Sequence, residues 1–307
     1  MIRHALLNHL QPKSSRRPMT DIIKMRKSLQ SLLSNPYNPN QPKPEIIPQT
    51  MSDSYSEALI PLGSDESFRF KYLHSNTDYV RFGRLLEDLD TFAVHISYKH
   101  NDPLQDNTNN SSPLGIVTAL VDDIKIHDKL KSDEDIKLTG SVSWTGSSSM
   151  EILMQVHQND ICAMDATFLM VARCPFDNKA AKVCPLNAVN SNERRVFAQA
   201  ELRKATRIQA SKTNLLKLPP TDEEAGEIHD LFVNSLNQSV QAFSNRVLLD
   251  GQIWMESCKL KSAMTAMPEH RNIHGKLFGG HIMRKGFELA MANVQLVTRV
   301  QSVFIES

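Results

Sequence analysis

The chain has 307 residues, 40% of them apolar and 22% charged, which fits a soluble globular protein of about one to three domains with room for sizeable cores. Its 35 Lys and Arg stand against 34 Asp and Glu, a formal charge of +1, so no global field points to nucleic acid or an anionic membrane, and any anion site must be local. Charges interrupt every apolar run short of the roughly 18 consecutive residues a spanning helix needs, and Cys162, Cys174, Cys184 and Cys258 form no C-x-x-C pair, which argues against a membrane span, a disulfide framework and zinc, and favours a reducing compartment.

The first twenty residues carry Arg3, Lys13, Arg16 and Arg17 and no acid before Asp21, a composition that fits a mitochondrial transit peptide or a disordered basic tail. Asp21–Leu33 can form a short helix. Five prolines between Asn35 and Gln49 then exclude regular hydrogen-bonded structure and mark a linker. From Val80 to Tyr98, Leu85, Leu86, Leu89, Phe92, Ala93 and Ile96 recur at helical spacing, with Glu87 and Asp88 on the solvated side. An Asn- and Ser-rich loop follows. Leu114–Ile124, Ile136–Trp144, Ser149–Gln158 and Ile161–Arg173 read as half-buried antiparallel strands, because apolar and polar residues alternate, most clearly in the middle two. One long helix followed by a meander is an α+β unit whose sheet must wrap the helix to bury its stripe. Helices are expected near Glu193–Gln209 and Asp222–Leu236, and a strand at Arg246–Lys259.

The next pattern, HGKLFGGHIMRKGFELAMA, echoes the first helix and forms an internal repeat. Aligning Gly83 with Gly280 places Asp90 opposite Phe287, each seven residues beyond its glycine. Asp90 falls inside the apolar stripe, four after Leu86 and three before Ala93. A carboxylate there costs several kcal/mol unless bonded, so it is either a candidate functional acid or a flank residue that bends to solvent or caps a strand. Ahead of the second helix, the glycine-rich turn ending at Gly279 and Gly280 presents backbone N–H groups and a positive dipole end that can polarise a carbonyl; tight turns and close packing need glycine as well. Asn272, eight residues before Gly280, could add an amide donor. His270 and His274 lack the glutamate of H-E-x-x-H, so no metal site is assigned, and neither a P-loop nor a G-x-S-x-G elbow occurs.

VRFGRLLEDLDTFAVHISYKH, GIVTALVDDI, TGSVSWTGSSSMEILMQV, MDATFLMVAR and NIHGKLFGGHIMRKGFELA, in that order, resemble the mitochondrial acyl-coenzyme A thioesterase 9 family of double hotdog proteins, from about Met51 to Ala292. The resemblance implies a hotdog fold, a curved antiparallel sheet around a long central helix, present twice per chain. It further implies hydrolysis of acyl-CoA thioesters to fatty acid and coenzyme A in mitochondria, with no metal or other cofactor. It places the catalytic acid at Asp90 and the asparagine at Asn272, with Gly279 and Gly280 as substrate contacts; Phe287, and Ser75 where an asparagine would stand, imply a dead reciprocal site.

The expected layout is a leader and linker at 1–50, a first hotdog at 51–175, a helical connector at 176–243 and an incomplete second hotdog at 244–307. Only 27 residues follow Gly280, too few for the sheet that should cover its helix. Ile282, Met283, Phe287 and Leu289 would then be uncovered unless that helix packs on the first unit. Two readings stay open: an active acyl-CoA thioesterase, homo-oligomeric or paired with another hotdog chain, and a catalytically weak module that binds CoA esters or pairs through its exposed edge.

Overall fold

The computed structural model describes residues 20–34, 46–74, 77–101, 114–214, 216–236, 246–248, 250–271 and 275–300. The basic leader, much of the Pro-rich linker, most of the Asn- and Ser-rich loop, Ser75 and Asn272 lie outside the described residues. The chain divides into two compact units, one built from residues up to Ala200 with Met264–Glu288, the other from Glu201–Ala263 with Leu289–Gln301.

In the first unit helix α1 (Ile22–Ser34) and strand β1 (Ser56–Ile60) precede a long helix, α2 (Phe82–Asn101). Strands β2 (Gly115–Ile126), β3 (Ile136–Thr145), β4 (Ser149–Gln158) and β5 (Ile161–Arg173) follow. The strands lie in the order β1-β3-β4-β5-β2 and are antiparallel throughout, with Thr20–Asp21 adding a short parallel strip beside β1. The hairpin between β4 and β5 turns at Asn159 and Asp160, with φ of 50° and 63°, the left-handed pair that suits a tight two-residue loop. Register shifts after Thr118 and Val121 bend β2, as bulges do, and curve the sheet.

The sheet curves because α2 fills its concave face. Leu85, Leu89, Phe92, Ala93 and Ile96 are fully buried against Leu138, Val142, Ile152, Met154, Phe168 and Met170. Each large apolar side chain so buried contributes about 1.5–3 kcal/mol. A curved antiparallel sheet wrapped around one long helix is the hotdog arrangement, so the α+β unit expected from the apolar periodicities and the hotdog fold implied by the resemblance are both observed.

The helix is, however, covered on more sides than its stripe suggests. Asp88, placed on the solvated side by spacing, is fully buried. It accepts hydrogen bonds from Arg26 of α1 and from the Tyr72 hydroxyl, and burial, opposed by the Arg26 and Arg84 charges, pushes its carboxyl above the usual range. Glu87 is likewise enclosed, between Arg84 and Arg284. A single buried face holds for a helix against one sheet; here α1 packs on a second side.

Helix α3 (Ser191–Lys212) runs from the first unit into the second, and α4 (Asp222–Asn234) belongs to the second, where Thr221 and Glu224 close a reciprocal capping box at its start. Among the described residues of Arg246–Lys259 the expected strand does not form. Arg246 pairs with Leu236 in an isolated bridge, Gly251 takes a left-handed φ of 82°, and Met255–Cys258 is a 3-10 turn. Partial apolar alternation, broken by Asp250-Gly251, does not make a strand without a sheet edge to pair with. The last helix, α5 (Gly279–Thr298), starts in the first unit. Its Met283 and Phe287 pack against the first core while Ile282 stays exposed, so of the apolar side chains expected to be uncovered these two find cover on that core.

Candidate active site

Two helices meet at the site. Gly83 of α2 lies against Arg284 and Glu288, whereas Gly280 of α5 lies against Glu87 and Asp90, so the helices run antiparallel. The absence of side chains at the crossing permits the approach. A Cβ on Gly280 would stand 3.0 Å from the Glu87 Cα and 3.0 Å from the Asp90 Cβ; one on Gly279 would stand 3.2 Å from Asp90 Oδ2. Glycine is therefore required at Gly280 by contact with backbone, not by an unusual φ.

Asp90, within the apolar face of α2, is 1% exposed. Its Oδ2 accepts from the Gly280 backbone N–H at 2.6 Å, and its Oδ1 accepts from the Thr118 hydroxyl of β2. Of the placements left open by spacing, the turn to solvent is not the one observed: the carboxyl is buried and bonded both to β2 and to the start of α5. Burial raises its pKa to about 6; the hydrogen bonds from Thr118 and Gly280 oppose the rise, and the nearby Glu87 charge adds to it. The carboxyl thus titrates near neutrality, where a group can both take and release a proton. Gly279 and Gly280 are brought to Asp90 as the first residues of α5, whose unpaired N–H groups and dipole favour the ionised carboxylate.

Thr118 was not singled out by the sequence. It sits in an apolar strand, and only the register shift that follows it marks the place. Thr118→Val keeps the shape and removes the donor. The ionised form of Asp90 then loses a bond, and its pKa is expected to rise by about 0.5–1 unit, read by the pH dependence of any activity that needs the carboxylate.

Beside the site His281, 3% exposed, stacks on His270 with ring centroids 4.1 Å apart, and burial, followed by the His270 charge, lowers its pKa. At the position equivalent to Asp90 the Phe287 ring packs on Phe82, centroids 4.9 Å apart, which leaves an apolar contact where the reciprocal acid would be. Asn272 is outside the described residues, but Arg271 and Leu277 on either side pair with each other just ahead of α5. No group of three or more metal-ligating side chains occurs among the described residues.

No family model matches the chain. It is 47% identical over 253 residues to the mitochondrial acyl-coenzyme A thioesterase 9 of Bos taurus, covering 80% of this chain and 57% of the relative, and 46% identical over 253 residues to that of Homo sapiens. The chain therefore spans little more than half the length of these relatives. To the chloroplastic acyl-coenzyme A thioesterase 2 of Humulus lupulus it is 31% identical over 316 residues, 97% of this chain and 68% of the relative. Among solved structures it is similar to an apo-hexameric acyl-CoA thioesterase, with a TM-score of 0.44 and 20% identity over 55% of this chain and 100% of that one. The buried acid, the glycine turn and the sequence shared along nearly the whole chain with the Humulus lupulus protein lead to one assignment: the chain belongs to the acyl-coenzyme A thioesterase family that includes the mitochondrial thioesterase 9 proteins.

Proposed function

We propose that the chain hydrolyses acyl-CoA thioesters to the free fatty acid and coenzyme A, with Asp90 as general base. The observation that carries this reading is a carboxyl buried against a helix start and held by two donors, with burial pushing its pKa up to about 6. The ionised Asp90 takes a proton from a water molecule, and the resulting oxygen nucleophile attacks the thioester carbonyl carbon. The carbonyl oxygen, negative in the tetrahedral state, is met by the Gly279 backbone N–H and by the Asn272 side-chain amide, while the Gly280 N–H stays on Asp90 Oδ2. Collapse of that state breaks the C–S bond, and the proton held by Asp90 neutralises the leaving thiolate. No covalent acyl-enzyme forms, and the residues named need no metal or cofactor.

The reading includes one composite site from the two repeats, since Phe287 occupies the reciprocal position, and the domain layout set out from the sequence, with the second hotdog incomplete. It also includes homo-oligomerisation or pairing with another hotdog chain along β2, the terminal strand of the sheet. The names of the Bos taurus and Homo sapiens relatives support a mitochondrial location. No helix among the described residues is long and apolar enough to cross a membrane.

Purified chain mixed with acyl-CoA esters of graded length and a thiol-reactive dye tests the proposal. Steady release of CoA thiol, with the same acyl carbon appearing as free acid, is expected. Saturable binding of the esters without release would replace the hydrolase with the CoA-ester-binding module.

A further inference from the structure

The sequence repeat and the helix contact, taken together, define an axis. With Gly83 aligned on Gly280, Glu87 is the equivalent of Arg284, each four residues beyond its glycine. These two equivalent positions bond to each other: Arg284 Nη1 donates to Glu87 Oε2 at 2.9 Å. The glycines flank them reciprocally, Gly280 against Glu87 and Gly83 against Arg284. Residues that are equivalent in a repeat and also touch lie on the two-fold axis relating its copies, because only there does a position face its own counterpart. A helix pairing with its own copy would set Glu against Glu, or Arg against Arg, on that axis. This chain sets opposite charges there, with both side chains mostly enclosed, and Arg84 Nη1 adds a second donor to Glu87 Oε2 at 2.5 Å. Off the axis Arg81 donates to Glu288 Oε1 at 2.8 Å.

We propose that Arg284 is a positioning residue: its axial bond to Glu87 makes α5, and not a second copy of α2, the partner of α2, and fixes the register that seats the Gly280 N–H on Asp90. The inference rests on Asp90 being the base. Arg284 touches neither substrate nor reacting atoms; it acts through the helix contact and through the charge of Glu87. The charged or titratable groups around Asp90 are Glu87 and Arg84 on its own helix and His281, Arg284 and Glu288 on α5, while β2 brings the uncharged Thr118 hydroxyl. Without Arg284 the Glu87 charge is less balanced, the ionised Asp90 is disfavoured, and the acid limb of the rate profile moves to higher pH.

The test uses the full chain with Arg284→Gln, Arg284→Glu and the exchange Glu87→Arg with Arg284→Glu, which keeps two arginines and one carboxylate at the crossing. One readout is kcat/KM with its pH profile. The other is independent of turnover: the Gly280 amide resonance in protein labelled with ¹⁵N-glycine, which follows the titration of the carboxylate it donates to. The expected results are a loss of about 30-fold or more in kcat for Arg284→Glu with KM little changed, an upward shift of the acid limb and of the Gly280 titration for Arg284→Gln, and recovery to within about fivefold of wild type in the exchange variant. Gly280 titrating as in wild type when Arg284 is replaced, or an exchange variant no better than Arg284→Glu, whether folded or not, overturns the inference. A wild-type chain that releases no thiol but shows the expected Gly280 titration and its shift would remove the hydrolase reading and leave the positioning role standing.

Discussion

Asp90→Asn is expected to cut kcat by about 10²–10⁴-fold, the range that a positioned general base supplies, while leaving the fold intact. The amide can keep the local network: its oxygen accepts from the Gly280 N–H, and its NH₂ donates to the Thr118 oxygen, whose hydroxyl is free to rotate. Stability should move the other way from activity. Burial pushes the folded-state pKa of Asp90 up to about 6, above the roughly 3.9 of an aspartate in an unfolded chain. The native state therefore binds the proton more tightly than the unfolded chain, and this group stabilises most below the unfolded value. That contribution is lost as the pH rises through about 6. The loss amounts to about 3 kcal/mol at neutral pH, and a side chain that cannot ionise is spared it. At pH 7 the variant should unfold at equal or higher denaturant concentration than wild type, with a shallower pH dependence between 4 and 7. A variant that is both inactive and unfolded would make Asp90 a structural residue only.

Gly280→Ala is the second large effect. In a helix interior alanine is favoured over glycine by about 1 kcal/mol, and an exposed position would gain from the change. Here the new methyl meets backbone, at 3.0 Å from the Glu87 Cα, as well as the Asp90 Cβ and the Phe278 ring. The ring can turn, but the helix backbone cannot yield without moving α2 from α5. The separation breaks the N–H to carboxylate bond and costs about 1–3 kcal/mol of stability, with a fall in kcat of about 10–100-fold. The equivalent glycine offers a control. The atoms nearest a methyl on Gly83 belong to the long side chains of Arg284 and Glu288, at 3.1 and 3.2 Å. Those can shift, so Gly83→Ala should cost less on both measures. Comparable losses at the two glycines would mean that the close crossing at Asp90 has no special role.

What could be read from the sequence, and what could not, divides along local and tertiary lines. The apolar stripe of α2 and the alternation in β3 and β4 are local periodicities, and they located the helix, the meander and the anomalous acid at Asp90. The glycine turn ahead of α5 was legible for the same reason, as was the repeat. Asp88 was misplaced because its cover comes from Arg26, 62 residues away, and from the Tyr72 hydroxyl, neither of which leaves a periodic trace. Thr118 was missed because a hydroxyl in a strand has no spacing that distinguishes a donor to a buried acid from an ordinary edge residue. The expected strand at Arg246–Lys259 fell to the opposite error, a local pattern with no sheet edge to complete it. The bond between Glu87 and Arg284 follows from the repeat only once the helices are known to cross at equivalent positions.

The central claim is that a carboxyl held by Gly280 and Thr118 draws the proton from the attacking water. The measurement that tests it most directly is the pH dependence of kcat/KM for wild type and Asp90→Asn with one acyl-CoA ester varied from well below to above its KM. The wild-type rate is expected to rise tenfold per pH unit below a midpoint of about 6 and then level off, and the residual rate of the variant to show no such midpoint. A wild-type profile flat through pH 6, or an Asp90→Asn enzyme retaining both the rate and the midpoint, would contradict it.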